Sequence, residues 1–294
     1  MVEQHLIEFN QLALARPLLR KHKDMYNRVM TRDNIALVAR LQMLLGPASW
    51  TELLVTNVHI HWDPTFRDVK LVQAIMLTEE LEKIIANINA GIGRLPMMKR
   101  KEIGVIVCGD FNSLPDSGVV AYLTKGGIGP KHGDFQNHTY EPYSNEGARN
   151  SLNLRSAYSY VSQKLGFTQA SRASKDEDDS DSEDESVNVD PLMQFTNLTP
   201  GFQGNIDYVY YGSEGSLVVT GALGGLPSDY VKQLVGLPSP HVPSDHISLL
   251  VEFKVDEGSA REIINSPVSA TGKTPNSASS SSSKQQQNKA PAKT

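Results

Sequence analysis

Three short segments, far apart in the chain, each set an ionisable side chain at the edge of an apolar run: Gly109-Asp110-Phe111-Asn112-Ser113, Asn205-Ile206-Asp207-Tyr208 and Ser244-Asp245-His246. A fourth, Asn57-Val58-His59-Ile60-His61-Trp62, adds two histidines. Two or three carboxylates, an amide and a histidine gathered at one place are the inventory for hydrolysing a phosphate ester with a hard divalent metal. Each segment alone is ambiguous. Asp and Asn are common in turns that close strands, and Ser-Asp-His serves equally as a helix N-cap or a turn. The ordered set is far more specific than any member.

Within the set, Asp110 follows an apolar strand and a glycine, a place where a side chain is rigid and solvent-facing at once. Asn112, two residues on, shares its face if the chain stays extended. A carboxylate there polarises a water, and the amide orients that water or holds a phosphate oxygen. Asp207 lies among Ile206, Tyr208, Val209 and Tyr210 and needs a partner or a metal, because an unpaired buried carboxylate is costly. His246 is the natural partner. One ring nitrogen would donate to Asp207 and the other face the scissile phosphate, with the imidazolium favoured. His59 and His61 share a strand face, but with no cysteine or third histidine clustered nearby they make a poor zinc pair. His59 is assigned to the phosphate, His61 to packing and Trp62 to the core.

Regular elements must position these residues. Residues 52–60 read as a strand rich in β-branched side chains. Val69, Val72, Ile75, Met76, Leu81, Ile84, Ile85 and Ile88 follow helical spacing, so residues 67–89 are expected to form an amphipathic helix that Gly91 and Gly93 end. Residues 103–109 read as a buried strand. Pro115 is expected to open a short helix to about Leu123, stopped by Gly126-Gly127. Further strands are expected over 6–9, 34–45, 206–211, 217–220 and 247–253, with a basic loop over 16–24, loops over 130–150 and a partly helical stretch over 153–166. Early alternation of strands and helices, then a strand-rich end, implies an α/β layered β-sandwich flanked by helices, over a mixed or antiparallel sheet. No Gly-rich strand-to-helix loop occurs, which argues against dinucleotide-binding and P-loop classes.

The formal net charge of −5 is misleading. Eight acidic residues and no basic one fall between Asp176 and Glu185; without them, 28 basic residues face 25 acidic ones. A mildly basic body is compatible with a polyanionic substrate. So dense a block of like charge repels itself, so an acidic disordered insertion is expected at about 173–190. Residues 257–294, rich in Ser, Gln, Asn, Lys and Pro, are expected to be a disordered tail, leaving 1–256 as one catalytic domain. The single cysteine, Cys108, sits in an apolar run and fits a reducing compartment. No stretch approaches a membrane span and no signal-peptide layout is present, so a cytoplasmic and nuclear protein without a membrane partner is expected.

The order Asn-x-His, Gly-Asp-Phe-Asn-Ser, Ile-Asp-Tyr, Ser-Asp-His resembles the exonuclease–endonuclease–phosphatase superfamily, whose fold is DNase I-like. Longer strings resemble the carbon-catabolite-repressor deadenylases, catalytic subunits of the Ccr-Not complex: Glu8-Phe9-Asn10-Gln11, Asn27-Arg28-Val29-Met30, His59-Ile60-His61-Trp62-Asp63-Pro64, Asp68-Val69-Lys70-Leu71-Val72-Gln73 and Leu237 through His246. The match covers roughly residues 2–256. The resemblance implies a Mg2+-dependent 3′-to-5′ exoribonuclease that shortens poly(A) RNA and releases 5′-AMP, with Ccr-Not subunits as partners. It implies that Asp110 acts on the attacking water with Asn112 beside it. Asp207 and His246 would stabilise the transition state and His59 would contact the scissile phosphate. Asp245 and Asp207 would belong to the metal site, and Pro64 and Phe202 would sandwich the terminal adenine, a stacking mode usual for single-stranded RNA.

The resemblance also implies that this chain corresponds to the C-terminal part of such an enzyme. The family's early asparagine, its metal-binding glutamate in a Leu-Gln-Glu-like motif and its leucine-rich repeats are not found in the sequence. Exposed strand edges and weak magnesium binding are therefore expected. Two other readings stand beside the enzyme: a non-catalytic RNA- or protein-binding remnant, and a superfamily phosphodiesterase or phosphatase acting on a small phosphate.

Overall fold

Six strands form the backbone of one mixed sheet in a computed structural model of the chain, which describes residues 1–46, 49–92, 99–100, 102–166 and 192–255. In chain order they are β1 (Glu3–Glu8), β2 (Ile35–Gly46), β3 (Ser49–His59), then, after the short β4 (Lys99–Arg100), β5 (Gly104–Asp110). The small pair β6 (Gly127–Ile128) and β7 (Ala148–Arg149) lies apart, and β8 (Leu154–Ser156) returns to the sheet. The hairpin β9 (Asn197–Thr199) and β10 (Phe202–Gly204) precedes β11 (Asp207–Gly212), and β12 (Leu217–Ala222) pairs with β13 (Val251–Val255). The spatial order is β1-β2-β3-β5-β11-β8, with β4 as a seventh strand alongside β3. β3 and β5 run parallel, so their connection must cross the sheet, and α4 (Arg67–Ile92) makes that crossing.

Alternation along the central strands builds two layers, as period-two side-chain geometry requires. Leu54, Val105, Val107 and Tyr210 enter the main core, which also holds Phe9 and Ala13 of α1 (Phe9–Ala15), Val72, Ile75 and Met76 of α4, and Val119 and Tyr122 of α5 (Gly118–Lys125). Their neighbours Leu53, Ile106, Val209 and Tyr211 face the opposite way and pack with Leu217, Val219 and Phe253 of the β12–β13 pair. The architecture is the layered α/β sandwich expected. A third small core of Phe195, Leu198 and Leu237 with Val242 and Ile247 anchors the segment that carries His246.

Several local expectations change. Residues 9–30, read as the end of a strand plus a basic loop, are a run of short helical turns: α1, α2 (Pro17–Arg20), α3 (Lys23–Met25) and a π-turn over Tyr26–Met30. Phe9, Ala13, Leu19, Met25 and Val29 are all buried, so tertiary packing holds turns too short to stand alone. α4 is amphipathic only in its second half; from Asp68 to Thr78 every residue is buried. α5 begins at Gly118 with Ser117 as its N-cap, and Gly126 ends it at φ 73°. A strand, β8, precedes α7 (Ala157–Lys164); α6 (Tyr143–Glu146) and α8 (Ser228–Val231) are single turns. The last strand starts at Val251, because residues 247–250 are tied singly, Ile247 N–H to the Thr196 carbonyl and Leu250 N–H to the Tyr158 hydroxyl. Gly93, the acidic run and the tail lie outside the described residues, and among those described no helix is long and apolar enough to cross a membrane.

Candidate active site

His59, Asp110 and Asp207 form one row across three neighbouring strands. Parallel pairing sets His59 opposite Asp110, and antiparallel pairing sets Asp110 opposite Asp207. All three stand at the same sheet edge, the C-terminal end of β3 and β5 and the start of β11. Gly109 makes the row possible. Its φ is +137°, and a Cβ there would lie 1.9 Å from the Val58 carbonyl oxygen, so only glycine lets β5 run this close to β3.

The fourth member arrives from the C-terminal side. His246 Nδ1 is 2.8 Å from Asp207 Oδ2, and a single bridge to Asn197 fastens its backbone beside β9. His59 Nε2 is 3.4 Å from Asp110 Oδ2. One ligand atom each from Asp110, Asp207 and His246 lie within 4.8 Å of one another. Asp245 is oriented differently: its carboxylate is 3.3 Å from the Asn197 amide, and it is not part of that group.

The electrostatics follow from this crowding. Burial, then the charge of Asp207, raises the Asp110 pKa, against the Asn112 backbone N–H and the two histidines. Partial burial opposes the His246 imidazolium, but the Asp207 hydrogen bond and the charges of Asp207, Asp110 and Asp245 outweigh it, so that pKa is raised. No lysine or arginine is ion-paired with either carboxylate among the described residues. Two facing carboxylates with a nearby imidazole therefore fit a divalent cation, and their oxygen donors suit a hard one. Such an ion takes six or more ligands, leaving positions for water and phosphate oxygens.

Asn112 does not sit as extended geometry suggested. Its φ is 45°, the left-handed region that asparagine tolerates. Its backbone N–H donates to Asp110 Oδ1 at 2.7 Å, and its side-chain amide donates to the Ile60 carbonyl at 3.1 Å, joining the ends of β3 and β5. Lys70, from the buried turns of α4, donates to the Asn112 carbonyl at 2.6 Å. Burial lowers its pKa, and nearby Asp63, Asp110 and Asp134 act the other way. Thr196 is equally hidden, and its hydroxyl accepts from the N–H groups of both Ile206 and Asp207. The Tyr208 hydroxyl donates towards the carbonyls of Ser113 and Asn205, pinning the loop after β5. Sequence reading missed Lys70, Thr196 and this role of Tyr208, because each acts through a long-range bond.

Pro64 is exposed beyond β3. Phe202 opens β10 at 39% exposure, its ring over Gly204 beside Leu114, which directly follows the Asp110 loop. Leu114 thus extends the apolar face near Phe202, a contact that sequence alone did not suggest. His61 is buried, but Trp62 is 68% exposed, against the expectation of a core residue. A cavity of about 820 Å³ opens on the flank of Asp207 between β11, α5 and α7.

A layered sandwich with carboxylates and histidines on one sheet edge is the arrangement of a metal-assisted phosphoesterase. A family model described as the endonuclease/exonuclease/phosphatase family matches residues 94–246, and the chain belongs to that family. The protein named CCR4-Not complex 3′-5′-exoribonuclease subunit Ccr4 from Mycosarcoma maydis is 40% identical over 280 residues, 90% of this chain and 37% of the relative. Its namesake from Schizosaccharomyces pombe is 38% identical over 268 residues, 87% of this chain and 34% of that protein. CCR4-NOT transcription complex subunit 6-like from Danio rerio is 36% identical over 265 residues, 86% and 44%. The chain thus spans between a third and somewhat under half of the length of these relatives. Among solved structures, ANGEL2, described as a 2′,3′-cyclic phosphatase in complex with adenosine-2′,3′-vanadate, superposes with a TM-score of 0.54 at 18% identity, over 87% of this chain and 67% of that one. That likeness is one of fold.

Proposed function

We propose that this chain carries the chemistry of a 3′-to-5′ exoribonuclease that shortens poly(A) RNA and releases 5′-AMP, using Mg2+, as a catalytic part of a Ccr4-Not complex. The observation that carries this reading is the Asp207–His246 pair set beside Asp110 and His59 on one sheet edge. The names of the relatives support 3′-to-5′ exoribonuclease chemistry and the complex.

The geometry is compatible with the following roles. Asp110, in the row between His59 and Asp207, accepts a proton from the attacking water. Asn112 holds the Asp110 loop against the end of β3. The water oxygen bonds to phosphorus and the bond from phosphorus to the 3′ oxygen of the preceding nucleotide breaks, leaving 5′-AMP and a new 3′ hydroxyl. His246, whose imidazolium the Asp207 hydrogen bond favours, and the exposed ring of His59 steady the charge on the phosphoryl oxygens. Asp110 and Asp207 would hold a hard dication, which would supply further neutralisation of the phosphate. Pro64 and Phe202 offer apolar faces for the terminal base.

The test is incubation with 5′-labelled oligo(A) and Mg2+, beside Asp110→Ala and His246→Ala chains. Stepwise shortening that both substitutions abolish is expected. Shortening that survives them, or preference for a small phosphate ester over oligo(A), defeats the reading.

A further inference from the structure

Trp62 is out of place for a tryptophan. It is 68% exposed, whereas Trp50, the other tryptophan, is 5% exposed. The exposed indole stands three residues beyond His59, past the end of the strand that carries that member of the row, and its broad apolar face suits it to stack a ligand. The segment that presents it is held firmly. Ile60 N–H donates to the Asp110 carbonyl, Asn112 donates to the Ile60 carbonyl, and the His61 N–H donates to Gln73 Oε1 of α4 at 2.8 Å.

Behind the indole runs a file of rings that ends in a cation. The His61 ring is 6.3 Å from Trp62 and meets Phe66 edge-on at 5.3 Å. Over Phe66 lie two guanidinium groups, Arg28 and Arg32, each 4.6 Å from the ring centre. They differ in what else they touch. Arg28 is committed to the buried carboxylate of Asp68. Arg32 is only half-buried, donates through Nε to the Arg28 carbonyl, and has no carboxylate partner among the described residues. An exposed indole on a firmly tied backbone, joined through the rings of His61 and Phe66 to an uncommitted guanidinium, offers the two contacts that hold a single-stranded base and its phosphate.

We propose that Trp62 and Arg32 form a subsite for the RNA strand upstream of the scissile phosphate, Trp62 stacking a base and Arg32 contacting a backbone phosphate. This rests on the reading of the chain as an oligonucleotide-cleaving enzyme. The subsite is separate from the Pro64 and Phe202 faces assigned to the terminal base. Stacking tolerates any base, so the subsite adds length preference and not adenine preference.

The test measures binding without cleavage. In EDTA, the chain is titrated with an octamer of oligo(A) and, separately, with AMP, following tryptophan fluorescence and a labelled-oligonucleotide competition. The octamer is expected to quench the exposed tryptophan. Trp62→Ala should weaken octamer binding by about 10-fold or more, and Trp62→Phe should retain most of it. AMP binding should be the same in all three. Arg32→Gln should weaken the octamer and lower the slope of log affinity against log salt by about 0.7. Octamer binding by Trp62→Ala equal to that of the parent overturns the subsite and leaves the nuclease reading intact. A parent chain that binds AMP but no octamer overturns both. Trp62 is at the surface, so its variants should melt with the parent.

Discussion

Asp110 and Asp207 stand directly opposite one another on neighbouring antiparallel strands, with no lysine or arginine ion-paired to either among the described residues. Like charges opposed in this way destabilise a sheet. The fold tolerates the repulsion partly through His246 on Asp207 and His59 on Asp110. Asp110→Asn should therefore stabilise the metal-free chain by about 1 kcal/mol while lowering turnover of oligo(A) at least about 100-fold. Urea midpoints in EDTA and a shortening assay read the two effects. A destabilised Asp110→Asn chain would mean that the repulsion is already relieved.

The Asn112 side chain and its backbone can be separated. Its φ of 45° suits asparagine or glycine and strains alanine by about 1 kcal/mol. Both Asn112→Gly and Asn112→Ala lose the amide link to Ile60. The alanine variant should be the less stable of the two by about that amount, and both should lose activity to a similar degree. If the glycine variant keeps full activity, the amide has no part in shaping the site.

Thr196 is a hidden clamp. Its buried hydroxyl accepts two backbone N–H groups, one of them that of Asp207. Thr196→Val keeps the shape and strands both donors, at a cost of about 2–3 kcal/mol. Thr196→Ser should recover most of it. Equal melting of the valine and serine variants would show that the methyl group, not the hydroxyl, matters here.

How much of this was legible in the sequence depended on range. β3, β5 and the helix between them were readable because their apolar periodicity is local and long. The Asp207–His246 contact could be guessed from chemistry, since a carboxylate between Ile206 and Tyr208 needs a partner. The pairing of Asp110 with Asp207 could not, because register between strands 97 residues apart leaves no local trace. The turns over residues 9–30 were missed because Pro17 splits them and each is shorter than two full helical repeats. Lys70 drew no separate reading, because its role depends on α4 being buried on every side at that point. Trp62 failed the opposite way: residue type argued for the core, and only the end of β3 at His59 sets it at the surface.

His61 gives a pH signature distinct from catalysis. Its ring is buried, its Nε2 has no hydrogen-bond partner among the described residues, and burial, then the charges of Arg32 and Lys70, lower its pKa below the ordinary 6.5, with Asp63 and Asp68 opposing. Between the lowered folded value and 6.5 the unfolded chain carries a proton that the folded chain refuses. Stability must rise with pH across that window, and below it the full penalty applies. His61→Phe removes the group and keeps a ring against Phe66. The urea midpoint of the variant should therefore fall less steeply than the parent's as pH drops from about 7 to about 5. Asp110 and His246 are common to both chains, so their contribution cancels in the difference. Parallel pH profiles for the two proteins would mean that the His61 ring takes up its proton as readily folded as unfolded.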